Sequence, residues 1–133
     1  MSLLEWKEGF SVGVKELDLH HQKIFDLVNQ LHQIMRNLKD KEFIIPVVEE
    51  LKGYGGYHLN TEEKYFDAYG YTGAKDHKKA HEYYRQKIES FSNRLNDNFL
   101  SFELIDFLED WWLGHITGED QKYKDFFKKN GLK

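Results

Sequence analysis

Apolar residues recur at alternating steps of three and four along most of this chain. Val14, Leu17, Ile24, Val28, Leu31, Met35 and Leu38 form one such series, and His21 stands within it. With 3.6 residues per turn, that spacing draws a single stripe along a helix. It predicts a first helix over Asp18–Leu38, preceded by an ordered arm over residues 1–13 that Trp6 and Phe10 anchor. A second helix is predicted from about Ile45 to about Tyr65, through Val47, Val48, Leu51, Tyr54 and His58. Pro46, the one proline, suits a first helical turn, where its missing N–H costs nothing. Gly53, Gly55 and Gly56 each weaken that helix by roughly 1 kcal/mol relative to Ala. Close helix packing and simple tolerance both account for them. Ala68–Gly73 reads as a turn. A third helix is predicted over Ala74–Leu95, with His77, His81, Tyr84, Ile88, Phe91 and Leu95 on its stripe. Asn96, Asp97 and Asn98 supply a break with capping residues. A fourth helix follows over Phe99–Ile116, with Phe102, Ile105, Leu108, Trp112 and Ile116 repeating, and Thr117–Gly118 ends it. A short C-terminal helix is predicted over Glu119–Lys129. Helices of about 20 residues with short connections predict an all-α, up-down-up-down four-helix bundle.

Composition narrows the class. A length of 133 residues fits one domain, 1–133, with a single sizeable core. The net charge is −4 with no long basic run, so nucleic acid is not an expected partner. There is no cysteine, which excludes disulfides, thiolate metal sites and iron–sulfur clusters. Met1–Phe10 carries Glu5, Lys7 and Glu8 and lacks the apolar core of a secretory signal. No apolar stretch is long enough to span a bilayer. A cytoplasmic protein without membrane insertion is the expectation.

The histidines change the picture. His58 is followed four residues later by Glu62, and His77 four later by His81. His115 is followed five later by Asp120, and His21 stands alone near the front. Residues four apart share a helical face, so such pairs form chelating edges. Imidazole and carboxylate donors without sulfur favour iron over manganese or zinc. Each piece also has a plainer explanation. A lone His on an apolar stripe is usually a hydrogen-bonded core residue. An exposed His58/Glu62 pair would be worth a few tenths of a kcal/mol. Two inward imidazoles at 77 and 81 are harder to explain, because unpaired buried polar groups cost several kcal/mol. One such element on every predicted helix makes coincidence improbable.

The donor count closes on two ions. Two octahedral ions need about twelve positions. Five imidazoles, two bridging carboxylates and a bridging oxo or hydroxo oxygen leave one position empty, on one ion. That vacancy suits a small diatomic molecule. Ferritin-like Glu-x-x-His pairs, a His-Glu-x-x-His motif and a His-Asp dipeptide are all absent.

Taken together, the motifs resemble the hemerythrin family, in particular its single-domain bacterial members. The matching residues are Asp18-x-x-His21, His58-x-x-x-Glu62, His77-x-x-x-His81 and His115-x-x-x-x-Asp120. Ser11-Val12-Gly13-Val14 and Trp111, four before His115, resemble the family too. The likeness covers essentially the whole chain. It implies a non-heme centre of two iron ions with an oxo or hydroxo bridge, binding O2 reversibly. His77, His81 and His115 would hold the coordinatively full iron, His21 and His58 the open one, and Glu62 and Asp120 would bridge. Family spacing selects Asp120 over Glu119, and His21 over His20, which stands where the family usually has Gln. Glu63 is left out because Glu62 is the i+4 mate of His58, and His32 is expected to be structural. Gly70 follows Tyr69 where the family often has Pro.

Leu59, Trp111 and Ile116 are the expected walls of an apolar O2 pocket. The implied role is O2 storage, buffering or delivery by a monomer that is not an enzyme, with an O2-consuming partner enzyme compatible. The alternatives are a di-iron oxidase or peroxidase and an O2- or NO-sensing module. The histidine-rich donor set speaks against an oxidase, and the lack of an attached output domain against a sensor.

Overall fold

A computed structural model describes residues 3–37, 41–94 and 100–133. Among the described residues a 3-10 turn, Glu8–Phe10, precedes six helices. These are α1 (Lys15–Arg36), α2 (Lys41–Tyr69), α3 (Ala74–Ser92), α4 (Leu100–Thr117), α5 (Glu119–Lys122) and α6 (Lys124–Lys129). The four long helices pack in a ring: α1 against α2, α2 against α3, α3 against α4, and α4 back against α1. The architecture is the predicted four-helix bundle. Among the described residues no helix is long and apolar enough to cross a membrane.

Helix boundaries differ from the pattern where side chains act at a distance along the chain. α1 starts at Lys15, three residues earlier than predicted. Asp18 lies in its first turn and reaches back to the arm: Oδ1 accepts the Val12 N–H at 2.9 Å and Oδ2 the Ser11 hydroxyl at 2.6 Å. An acid there also suits the positive end of the helix dipole. The arm is tied down again where Asn29 exchanges two hydrogen bonds of 2.8 Å with the Leu4 backbone. α2 starts at Lys41, so Pro46 sits inside the helix and not in its first turn. Past the first turn its missing N–H is not free, and the bond to the Glu42 carbonyl is forgone.

α2 also runs on to Tyr69, through what the pattern marks as the start of a turn. Gly70 then takes φ 70°, and the Tyr71 N–H bonds back to the Phe66 carbonyl at 3.0 Å. This is a Schellman ending, in which a left-handed glycine satisfies the last carbonyls. Proline cannot adopt that φ, so Gly70 goes with this particular turn. The predicted C-terminal helix is two pieces, α5 and α6, separated at Tyr123. The first and third helices, predicted to run to Leu38 and Leu95, end at Arg36 and Ser92, where the Asn37 and Asn93 N–H groups close the last turns; Leu38, Leu95, the break at 96–98 and the predicted start of the fourth helix at Phe99 lie outside the described residues.

The core forms in two parts. The larger joins Ile24, Val28, Leu31, Val48, Leu51, Leu59, Tyr84, Leu104, Leu108, Trp112 and Ile116. Phe102, expected in the α4 stripe, is 64% exposed, and Leu104 is buried in its place. Two residues are more than half a turn on a helix, so the stripe that ends at Trp112 and Ile116 passes through 104 and 108, not 102. The smaller core joins Val12, Val14, Leu17, Phe66, Tyr123 and Phe127.

The glycines of α2 separate into two kinds. A Cβ on Gly55 would stand 3.1 Å from the Tyr84 hydroxyl and 3.4 Å from Trp112, so close packing explains it. Gly53 and Gly56 have nothing within 4 Å of that position. Gly53→Ala and Gly56→Ala are therefore expected to stabilise the protein by about 0.5–1 kcal/mol each. Urea unfolding checks this; a loss of stability in either variant would contradict the open packing.

Candidate metal centre

Five elements deliver seven buried polar side chains to one place between the two cores. α1 brings His21, α2 brings His58 and Glu62, α3 brings His77 and His81, α4 brings His115, and α5 brings Asp120. The i,i+4 pairs on α2 and α3 share a helical face, so each pair points inward together. Asp120 arrives by a different device. α4 ends at Thr117, and Gly118 turns the chain with φ −110° and ψ −83°. A Cβ there would stand 2.8 Å from the Gly114 carbonyl oxygen, which leaves room for glycine alone without a backbone shift. An unbroken helix would have turned Glu119 toward His115. After the break Asp120 is buried, and Glu119 pairs with Lys122 at 2.8 Å near the surface.

The donor atoms fall into two overlapping groups. His77, His81, His115, Glu62 and Asp120 form one, and His21, His58, Glu62 and Asp120 the other; within each, the atoms lie within 4.8 Å of one another. His115 Nε2 stands 3.1 Å from both His77 Nε2 and His81 Nε2. His21 Nε2 stands 3.0 Å from His58 Nε2. The carboxylates divide their oxygens between the groups. Glu62 Oε1 faces His81 at 3.1 Å and His77 at 3.6 Å, while Oε2 faces His58 at 3.5 Å and His21 at 3.8 Å. Asp120 Oδ1 faces His77 at 2.9 Å and His115 at 3.1 Å, while Oδ2 faces His21 at 3.1 Å.

This arrangement fits metal ions. Donors about 2.1 Å from a common ion and at right angles to one another are about 3 Å apart, which matches the Nε2 spacings. Glu62 Oε1 and both Asp120 oxygens receive no well-formed hydrogen bond from the protein. Buried carboxylate oxygens left so would cost several kcal/mol, and a bound cation removes that cost. Nitrogen and oxygen donors without sulfur suit iron.

Opposite charges face each other throughout the cluster. Burial and the neighbouring Glu62 would push the Asp120 carboxyl up, yet His115 and His21 hold it far below the usual carboxylate range. Burial alone would lower His21 and His77, but Asp120 and Glu62 outweigh it and raise each to about 9. At His58 burial prevails, and the imidazole is pushed down to about 4. His58 is thus neutral at ordinary pH, as a ligand must be.

Several contacts around the cluster were not legible in the sequence. His58 Nδ1 lies 3.0 Å from Nδ1 of His20, which is buried against the rings of Tyr54 and Tyr57. With His58 Nε2 turned to the cluster as an acceptor, its Nδ1–H donates to His20. His81 Nδ1 lies 2.7 Å from Glu63 Oε2. The Glu63 carboxyl is held below its ordinary range, because bonds from His81 and Arg85 outweigh its partial burial. The fully buried Tyr123 donates its hydroxyl to Glu62 Oε2 at 2.5 Å. Its spacing to Phe127, four residues on, marks an apolar face, but nothing in the sequence reveals the carboxylate opposite. Tyr123→Phe is expected to cost about 1.5–3 kcal/mol, the worth of a hydrogen bond to a charged acceptor. Urea unfolding of chelator-treated protein measures it; unchanged stability would deny the bond any importance.

The expected pocket residues differ in their surroundings. Leu59 and Ile116 are fully buried in the larger core. Trp111 is half-buried and stacks on His115, ring centroids 4.4 Å apart and planes at 12°. The indole next to His58 is Trp112, at 5.9 Å, and Trp6 lies 6.5 Å from His21. His32 is half-buried on α1, away from the cluster.

Comparison with known proteins points one way. Residues 12–127 match the model of the Hemerythrin HHE cation binding domain. The chain is 32% identical over 127 residues to a Bacteriohemerythrin of Clostridium acetobutylicum, covering 90% of this chain and 98% of that protein. It is 29% identical over 129 residues to a Bacteriohemerythrin of Stenotrophomonas maltophilia, covering 96% and 84%. A crystal structure of wild-type hemerythrin superposes with a TM-score of 0.84 at 25% identity, over 93% of this chain and 97% of that one.

Proposed function

Because this chain belongs to the hemerythrin family, we propose that its buried cluster holds two irons and binds O2 reversibly, with residues 1–133 acting as one domain. The observation that carries the reading is the unequal division of donors. Five side chains surround one position and four the other, and each carboxylate offers one oxygen to either side. His77, His81 and His115 would hold one iron, His21 and His58 the other, with Glu62 and Asp120 shared. An oxo or hydroxo bridge of solvent origin belongs to the same reading. The second position then has room for a small guest. When bound, the two irons would supply the electrons that a captured O2 draws on and returns.

The protein's own residues do the rest. Glu62 and Asp120 balance the charge of the cations. Tyr123 fixes the rotamer of Glu62 through the bond to Oε2, and His20 fixes the tautomer of His58. Leu59, Ile116, Trp111 and Trp112 keep bulk water away from the cluster. A dry site holds a reactive guest without the protons that would carry it off as peroxide. We read the protein as an O2 store, buffer or carrier and not as an enzyme.

The test is direct. Iron-loaded, anaerobically reduced protein exposed to air should form a coloured adduct, and argon should bleach it repeatedly. One-way oxidation with peroxide released at each exposure would replace this reading with a di-iron oxidase.

A further inference from the structure

Glu63 has no part in the reading above, yet it touches a candidate ligand. Its Oε2 takes the His81 Nδ1–H at 2.7 Å, and the same oxygen lies 3.0 Å from Arg85 Nη1. The other arm of the Arg85 fork, Nη2, donates to Asn60 Oδ1 at 2.9 Å. Asn60 and Glu63 are both on α2, so the guanidinium is tied to that helix at two points and the carboxylate has little freedom. The His81 side chain is fully buried, while Glu63 and Arg85 are 20% and 29% exposed.

The five inward imidazoles are not alike on their outer sides. His58 meets another imidazole, and the Nδ1 atoms of His21 and His77 have no partner. Among the described residues, His81 is the one whose outer nitrogen meets a carboxylate. A carboxylate draws the Nδ1 proton toward itself and leaves Nε2 richer in electrons. Such a ring is a stronger donor to a cation, and more so to ferric than to ferrous iron.

Resting on the di-iron reading, we propose that Glu63, clamped by Arg85, is a positioning residue that acts through His81 to favour the oxidised state of the iron held there. Arg85 is the counterweight. It shares the oxygen that His81 uses, so it withdraws charge from that bond while it orients the carboxylate. The pair sets how readily the centre drifts from its O2-binding, reduced state to a spent, oxidised one.

The experiment is an anaerobic redox titration of the iron-loaded full chain, with dithionite as reductant and ferricyanide as oxidant. Glu63→Gln keeps an acceptor opposite His81 but loses the charge. At fixed potential its ferric-to-ferrous ratio should fall about tenfold, which for one electron is a midpoint raised by about 59 mV. Arg85→Gln should move the midpoint the other way. Asp76→Asn removes a carboxylate from an exposed site beside His77 with no bond to a ligand, and should move it far less than Glu63→Gln. An unchanged midpoint in Glu63→Gln overturns the proposal. So does a shift of the same sign in Glu63→Gln and Arg85→Gln, which would report a loosened site, or an equal shift in Asp76→Asn, which would report charge acting at a distance. Zinc competition against a chelator gives a second readout: Glu63→Gln should weaken one of two zinc equivalents about tenfold or more, and unaltered zinc binding counts against the role. If these shifts appear in a protein that never binds O2 reversibly, the O2 reading fails and the Glu63 role stands. If O2 binding is reversible and the midpoints do not move, the reverse holds.

Discussion

An Asp120→Asn protein is expected to retain fewer than two irons per chain after reconstitution and desalting. Asn keeps the volume of the side chain but removes its charge and one oxygen donor. Asp120 is the residue whose two oxygens stand within 3.1 Å of histidines in both groups, His77 and His115 on one side and His21 on the other. Removing one partner from a buried set of opposite charges costs about 3–5 kcal/mol, or roughly two to four decades in affinity. His77→Ala should fail in the same way, because it opens the array of three nitrogens around His115. Metal analysis reads the outcome, and circular dichroism shows that the bundle has formed. Two irons firmly held by folded Asp120→Asn protein would remove Asp120 from the ligand set.

Chelator-stripped protein should be most stable near pH 6.5 and lose several kcal/mol as the pH rises to about 9. The carboxylates raise His21 and His77 from 6.5 to about 9 in the folded state. Their contribution is fully present below 6.5 and disappears as the pH climbs through 9, at up to about 1.4 kcal/mol per pH unit for each group. His58 works in the opposite sense. Burial lowers it to about 4, so the unfolded chain takes up its proton first, and stability falls as the pH drops from 6.5 toward 4. Bound cations displace the protons of His21 and His77, so loaded protein should be nearly flat between pH 6.5 and 9, and loading should release protons. Urea unfolding across this range, with and without metal, checks both arms. Stripped protein as stable at pH 9 as at 6.5 would show that protons on His21 and His77 do not balance the carboxylates.

The bundle and the inward positions were legible in the sequence because both are statements about one helix at a time. A repeat of three and four locates the buried face of α1 and α3, and i,i+4 spacing turns His58 with Glu62, and His77 with His81, to the same side. What was hidden depends on contacts between elements. Asp18 begins α1 early through bonds to the arm. The exposure of Phe102 is decided by which α4 face meets its neighbours. Glu63 of α2 meets His81 across the α2–α3 interface, where Arg85 of α3 bonds Glu63 and Asn60, and Tyr123 reaches Glu62 from outside the four long helices. No periodicity encodes such pairings. Asp120 is an intermediate case: Gly118 signals a break, but the amount of turn, and hence the choice over Glu119, needs the backbone angles.

That last carboxylate has a bearing on local stability. Asp120 sits on a four-residue helix that could not persist alone, and the segment beyond it is fastened by Tyr123 and Phe127 in the smaller core. Ion binding therefore adds its free energy to the docking of 119–129 as well as to the fold of the whole bundle, and this weakly held tail is where the gain changes local opening most. Amide exchange and protease attack in this tail should thus report how many molecules in a preparation are filled, while the interior of α1 and α2 stays protected in filled and empty molecules alike.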